Sequence, residues 1–181
     1  MRIGTWVNVK GGVAFGWCLL VSGLVLTGCS PSTPSDGTTT DDGTVTIQFE
    51  GAEGTGAGTT TFTHEGAMFT GGTVRSLGQP DLYASGQFAY EVLPGSPVTV
   101  TFDEPIEFLE LFLASSGNGL TVLTALDAEG RVLGLHQSSP AGNASTQEVT
   151  LSGEVTSVVF IHTGDDDGWI DDFSFRVAQP S

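Results

Sequence analysis

The chain is poor in cysteine. Of its two cysteines, Cys18 lies within an apolar N-terminal run and Cys29 follows that run. The rest of the chain therefore has no disulfide bond of its own. Small exported domains commonly use disulfides for stability, so we expect this one to depend on burial of apolar surface or on a bound metal.

Basic residues are also scarce. Beyond Lys10 the sequence has only Arg75, Arg131 and Arg176, whereas the chain has 21 acidic residues and a net charge of −16. Proteins that bind nucleic acid neutralise phosphates with lysine and arginine. This chain has no basic patch, which excludes a nucleic-acid partner.

The motifs of several enzyme classes are missing. The sequence contains no Gly-Lys-Ser/Thr phosphate loop, His-Glu-x-x-His helix, Cys-x-x-Cys pair or Gly-x-Ser-x-Gly elbow. We therefore predict that the protein is not an enzyme. A small hydrolase is the alternative, since Glu107 and Glu110 could converge as a glycosidase carboxylate pair.

The N-terminus has the pattern of an export signal. Arg2 and Lys10 precede the apolar run Val13–Leu26, an order typical of a secretory signal. A membrane-spanning helix, the alternative, needs about 20 predominantly apolar residues. The run reaches that length only if several flanking glycines are counted.

The run ends in Leu26-Thr27-Gly28-Cys29, which resembles the lipobox of bacterial lipoproteins. The resemblance implies that residues 1–28 are a signal peptide and that Cys29 carries a lipid with acyl chains such as palmitate. It also implies a lipid anchor in the membrane of the cell envelope. Ser30 follows in place of aspartate, which implies the outer membrane if the source is Gram-negative.

Two further regions follow the signal. Residues 29–43 are rich in Ser, Thr, Pro and Asp and lack large apolar side chains, so they are predicted to form a flexible tether. Residues 44–178 have the size of one domain with a single core.

The domain is predicted to be all-β, an antiparallel β-sandwich of the jelly-roll type. Short runs rich in Val, Thr, Phe and Leu alternate with turn residues, and helical periodicity is lacking. Asp127–Gly130 is predicted to be a hairpin turn. The predicted strands are Val45–Glu50, Thr59–Thr63, Ala67–Phe69, Gln87–Val92, Val98–Phe102, Ile106–Ala114, Leu120–Ala125, Val132–Gln137, Gln147–Leu151, Val155–His162 and Trp169–Val177.

The last predicted strand contains a carboxylate at an inward position. With a period of two, Asp171 shares a face with Phe173, Phe175 and Val177. A buried carboxylate needs hydrogen bonds or a cation, and Asp171 is therefore a candidate for either.

Several segments together resemble a family of jelly-roll modules in exported bacterial proteins. These modules are similar to carbohydrate-binding and galactose-binding-like domains and often precede PEP-CTERM sorting tails. The segments that carry the resemblance are Thr46–Gly51, Gly66–Phe69, Thr124–Gly134 and Trp169–Phe175.

The resemblance also implies a structural calcium ion between the end of the first strand and the start of the last. It assigns Glu50 and Asp171 as ligands, with Asp172 as a helper. The alternative is that Glu50 is a solvated strand end and Asp171 caps a backbone amide. Asp165–Gly168 could form a second calcium loop, although a solvated turn is the more common use of such residues.

Three aromatic side chains are candidate sugar platforms. Trp169, at a loop–strand junction, could stack on a sugar ring or fill the end of the sandwich, because large aromatic residues are usually buried. Tyr83 and Tyr90 are weaker candidates. We therefore predict a non-catalytic, calcium-stabilised binding module with a glycan as ligand. A structural or adhesion protein that binds other proteins is the alternative.

Overall fold

The computed structural model describes residues 37–50, 61–76, 85–115, 117–138 and 145–179. The predictions for Cys29, the signal peptide and Tyr83 lie outside these residues. No helix in the described ranges is long and apolar enough to cross a membrane. The regular elements there are β1 (Gly37–Thr39), β2 (Thr44–Ile47), β3 (Thr61–His64), β4 (Ala67–Thr70), β5 (Thr73–Ser76), β6 (Phe88–Val92), β7 (Val98–Ser115), β8 (Leu120–Leu126), β9 (Val132–Gln137), β10 (Ser145–Glu148), β11 (Val155–Thr163) and β12 (Gly168–Val177).

The strands form two antiparallel layers joined by the long strand β7. In the first layer, the N-terminal half of β7 pairs with β4 and β11, and β3, β8 and β9 extend this layer on either side. In the second layer, the C-terminal half of β7 pairs with β12 and β10, and β2 and β1 follow β12. Strand β6 pairs with the start of β12 and with β5. The predicted antiparallel β-sandwich is confirmed.

Aromatic rings hold the two layers together. Phe173 of the second layer lies 5.2 Å from Phe69 and 6.5 Å from Phe160 of the first layer, measured between ring centroids. Phe173 is fully buried, and edge-on pairs of this kind stabilise a core beyond their buried area. The core therefore lies between the layers, where the alternating apolar residues of β7 and β12 meet.

Most observed strands differ from the predicted ones only at their ends, as β2 and β10 do, but three differences change the number of strands. Val98–Phe102 and Ile106–Ala114 were predicted as separate strands, yet β7 is continuous from Val98 to Ser115 and includes Pro105. Strand β5 was not predicted. Strand β1 lies within the segment predicted to be a tether: it pairs with β2, so the prediction is wrong for residues 37–43, which form a hairpin of the sheet.

A β-bulge changes the face on which Asp171 lies. Asp171 is paired with Phe112 and Ser174 with Glu110, so β12 has one more residue than β7 in this interval. Asp172 takes the extra position with a φ of 42°. Because directly paired residues share a face, Asp171 lies on the side of Phe112 and not on the core side with Phe173. The prediction of a shared face is wrong, because the bulge interrupts the period of two.

Candidate functional site

The second layer has a surface that points away from the core, here called the outer face. It is formed by rows of paired residues across β2, β12, β7 and β10. One row contains Thr46, Ser174, Glu110 and Glu148. The next row contains Thr44, Arg176 and Phe108. These rows place hydroxyl, carboxylate, guanidinium and phenyl groups on one surface.

A groove of about 610 Å³ lies on the outer face. The β1–β2 turn forms one wall, and β12 and β7 form the floor. Its lining residues are Thr40, Asp41, Asp42, Thr44, Thr46, Phe108, Glu110, Ser174 and Arg176.

Arg176 lies on the floor of the groove and contacts three other side chains. Its guanidinium carbon lies 5.2 Å from the centre of the Phe108 ring. Its Nε atom is 3.1 Å from Glu107 Oε1, and its Nη1 atom is 3.4 Å from Asp42 Oδ2. The guanidinium is therefore fixed by two carboxylates and a ring, which is a cation–π arrangement.

Asp42 closes the β1–β2 turn at the rim. It accepts a hydrogen bond from the Thr40 hydroxyl and another, 3.1 Å long, from the Thr44 amide. These hydrogen bonds, with a smaller attraction from Arg176, lower the pKa of Asp42 to about 2. Asp42 is thus ionised throughout the physiological range.

The polar centre of the floor contains one hydroxyl pair. The Thr46 and Ser174 hydroxyl oxygens lie 2.7 Å apart, while Glu110 is half-buried beside them. Hydroxyls both donate and accept hydrogen bonds, and an ionised carboxylate only accepts. The groove can thus bind a ligand rich in hydroxyl groups.

The three predicted calcium ligands all reach residues 85–88, a short segment that ends at the first residue of β6. Asp171 Oδ2 accepts a hydrogen bond of 2.9 Å from the Ser85 amide, and Asp172 Oδ1 accepts one of 2.8 Å from the Ser85 hydroxyl. Glu50 Oε1 accepts from the amides of Gln87 and Phe88 at 2.7 and 3.0 Å. Asp171 therefore caps an amide, as the alternative prediction held. Within the described ranges, no three His, Cys, Asp or Glu side chains are grouped to hold a metal.

Two of the three predicted sugar platforms, Tyr90 and Trp169, are buried. Tyr90 is 1% exposed, and its hydroxyl donates a hydrogen bond to the Gly71 carbonyl. Burial raises the pKa of that hydroxyl. The ligand-binding prediction for Tyr90 is wrong, because the ring belongs to the core. Trp169 is 6% exposed and packs with Ala89, Phe112 and Ala114, so it fills space as in the alternative prediction.

The acidic run before β12 contacts a buried histidine. Asp166 Oδ1 lies 3.6 Å from His162 Nε2, and His162 Nδ1 is 3.0 Å from the Thr121 hydroxyl. Asp165, by contrast, is exposed. The run is therefore a solvated turn only in part, because Asp166 contacts the buried His162.

The sequence did not single out Phe108 and Arg176 as ligand residues, and it indicated Glu110 only as half of a possible glycosidase pair, although a further signal was present. Phe108, Glu110 and Phe112 alternate with a leucine series in the sequence, and Glu110 interrupts an otherwise apolar run. Such an interruption can indicate a surface that meets solvent or a ligand. Only the sheet register places Arg176 beside Phe108.

Comparisons with known proteins give distant structural matches. No protein-family model matches the chain, and no curated protein matches its sequence. A glycoside hydrolase family 43 arabinoxylan arabinofuranohydrolase from Bacillus subtilis, in complex with cellotetraose, matches 61% of this chain with 16% identity and a TM-score of 0.43. The match covers 25% of that enzyme, so the chain spans about a quarter of its length.

Two non-enzymatic structures match as well. The module TmCBM61, in complex with β-1,4-galactotriose, has 14% identity and a TM-score of 0.44 over 59% of this chain and 81% of its own. A family 29 carbohydrate-binding module has 15% identity and a TM-score of 0.37 over 66% and 74%. These values are too low to transfer a ligand or an activity to the chain.

Proposed function

We propose that the protein binds a glycan on its outer face and does not cleave it. The observation that carries this proposal is the groove between the β1–β2 turn and β12. Its floor combines an aromatic ring with hydroxyl and carboxylate groups on a rigid sheet. Binding sites for small ligands usually combine apolar contact with a few placed polar groups in this way.

The Phe108 ring and the Arg176 guanidinium supply the flat part of the site. The guanidinium lies over the ring, 5.2 Å from its centre, so the stacked pair presents a surface that is part apolar and part polar. The C–H face of a sugar ring can lie on such a surface. Burial of apolar area contributes about 25 cal/mol per Å², so even partial coverage of the phenyl ring supports binding.

The hydroxyl and carboxylate groups of the groove can fix the orientation of a bound ligand. Glu110 accepts hydrogen bonds only, whereas Thr46 and Ser174 can donate or accept. The two hydroxyls are paired at 2.7 Å, and Ser174 also donates to the Asp172 carbonyl at 3.4 Å, so their remaining lone pairs can accept hydrogen bonds from ligand hydroxyls. These hydroxyl and carboxylate groups are complementary to the hydroxyl groups of a polyol.

Binding of soluble polysaccharides to the purified protein, measured by affinity electrophoresis and calorimetry, tests the proposal. Phe108→Ala should weaken binding at least about tenfold, equivalent to about 1.4 kcal/mol. Ile161→Ala is the matched control, because Ile161 is 44% exposed on β11 of the first layer. If no polysaccharide binds, or if both variants weaken binding equally, the outer face is not a glycan site.

We also propose that Cys29 anchors the protein to a membrane through a lipid. The lipobox-like sequence before it supports this assignment. The location would then be the cell envelope, on the outer membrane in a Gram-negative cell. Cys29→Ala should move the protein from the membrane fraction to the soluble fraction, and unchanged fractionation would refute the anchor.

Calcium binding at Glu50, Asp171 and Asp172 is a separate proposal. Support comes from their convergence on the segment 85–88 and from positive φ angles of 61° at Phe49 and 42° at Asp172. Non-glycine residues with such angles are uncommon and cluster at functional sites. Calcium requires six to eight oxygen ligands, so the side chains fit in part and carbonyls or water would complete the shell.

A further inference from the structure

We propose that the glycan held on the outer face is uncharged, and that the protein rejects chains bearing carboxylate, sulfate or phosphate groups. This inference rests on the proposed function and names the class of ligand. It follows from the way every arginine of the domain is already paired.

Among the residues that line the groove, Arg176 is the only arginine, lysine or histidine, and its charge is already matched. Glu107 lies 3.1 Å from its Nε atom and Asp42 lies 3.4 Å from its Nη1 atom. Recognition of an anionic group by arginine uses free N–H donors in a planar fork. An acidic sugar would have to approach a guanidinium whose charge is already offset by these two carboxylates.

The other two arginines cannot take over this role. Arg75 Nε is 3.1 Å from Glu91 Oε2 on β6. Arg131 contacts Asp127 at 2.5 Å and Glu129 at 3.2 Å in the β8–β9 turn of the first layer. The sequence has no lysine after Lys10 and no further arginine. Every cationic side chain beyond that position is therefore paired.

Histidines do not supply a cation to the outer face either. His64 belongs to β3, His136 to β9 and His162 to β11. All three strands lie in the first layer. The sequence has only these three histidines.

The outer face is instead rich in negative charge. Asp41 and Asp42 form one wall of the groove, and Glu110 lies on its floor. Glu148 is paired directly with Glu110 across β10 and β7. Directly opposed like charges are unfavourable in a sheet, and a further anion placed between them would add to the repulsion. Neutral hydroxyls, in contrast, donate to carboxylates in strong charge-assisted hydrogen bonds.

The experiment compares one polysaccharide in three forms. The probe is a neutral polysaccharide that binds in the assay above, the same polymer after partial oxidation of its primary hydroxyls to carboxylates, and the oxidised polymer after methyl esterification. At an ionic strength of about 0.01 M the Debye length is about 30 Å. Under these conditions oxidation should weaken binding at least tenfold, and esterification should restore it.

A pair of matched variants locates the effect. The double variant Glu110→Gln, Glu148→Gln should reduce the difference between neutral and oxidised polymer at least threefold. The double variant Glu104→Gln, Glu154→Gln has the same net charge but lies away from the groove, and it should keep the full difference. Equal changes in both variants would assign the effect to net charge and overturn the site assignment.

The outcomes separate this inference from the proposed function. If the neutral and oxidised polymers bind equally well, or if the oxidised one binds more tightly, charge selectivity is overturned and glycan binding stands. If no polysaccharide binds, the proposed function fails and the selectivity fails with it.

Discussion

The carboxylate of Glu91, on β6, is buried against the guanidinium of Arg75, with 3.1 Å between Oε2 and Nε. Glu91 is 0% exposed, whereas the Arg75 side chain is 60% exposed. Burial raises the pKa of Glu91, Arg75 opposes this effect, and the carboxylate of Asp167 adds to it. The pair thus contains a buried acid that releases its proton less readily than an exposed glutamate.

The first prediction concerns pH. The folded state holds the Glu91 proton more tightly than the unfolded state does. The contribution of this proton to the free energy of unfolding is therefore complete below the pKa of the unfolded state, near 4.5. It is lost as pH rises through the folded pKa. In thermal melts from pH 4 to pH 8, the midpoint should decline less with rising pH for Glu91→Gln than for the parent. Glu104→Gln, at an exposed position, should match the parent; identical profiles for all three would contradict the prediction.

The second prediction concerns Arg75, the ion-pair partner of Glu91. Arg75→Ala leaves a buried carboxylate without its cation, which should cost about 1–3 kcal/mol of unfolding free energy near neutral pH. The cost should shrink below pH 4.5, where Glu91 is protonated. Chemical denaturation at two pH values measures it. A cost that does not depend on pH would mean that Arg75 acts through packing alone.

The third prediction separates the core from the outer face. Phe173→Ala should lower the unfolding free energy by about 3–5 kcal/mol, because it removes a fully buried ring that touches both layers. Phe108→Ala should cost much less, since its ring is half-buried on the surface. Equal losses of unfolding free energy for the two variants in denaturant titrations would show that Phe108 is a structural residue. The Phe108→Ala variant could then not be used to test ligand binding.

Strands with clear alternation were predictable from the sequence, as β8, β11 and β12 illustrate. Strands β1 and β5 were not, because Gly37–Thr39 and Thr73–Ser76 are short and carry little alternation. They form because β2 and β6 offer unpaired edges. Tertiary partners of this kind leave no local pattern.

The candidate site was harder to predict for two physical reasons. The bulge at Asp172 depends on a positive φ in a residue other than glycine, which composition does not reveal. The contact between Phe108 and Arg176 joins residues far apart in the chain, and only the register of β7 against β12 brings them together. Tyr90 was predicted to bind a ligand but is buried in the core. The sequence does not show which side of a strand a tyrosine faces.

The fourth prediction concerns Gly119, next to the end of the sandwich. A Cβ atom there would clash with the Thr163 carbonyl and the buried His162 ring. Gly119→Ala should cost about 1–3 kcal/mol, as overpacking commonly does. Gly153→Ala is the control: its nearest neighbour is the end of the Leu133 side chain, at 3.3 Å. A neutral Gly119→Ala would mean that the loop moves freely.

The fifth prediction tests calcium. If the ion binds, chelation should lower the thermal midpoint of the parent, and Asp171→Asn should remove that response. Stabilisation by a ligand that binds only the folded state grows with its concentration, so the midpoint should rise as calcium is added back. Asp103→Asn, at an exposed position, should respond like the parent. A parent melt that is insensitive to chelation refutes the site.

Strand β7 runs through both layers without a break, from Val98 to Ser115. The two sheets therefore share one continuous backbone and cannot swing apart about a flexible linker. A ligand on the outer face meets a surface whose curvature is set before binding. Little conformational entropy is then lost by the protein on association, and more of the contact energy appears as affinity.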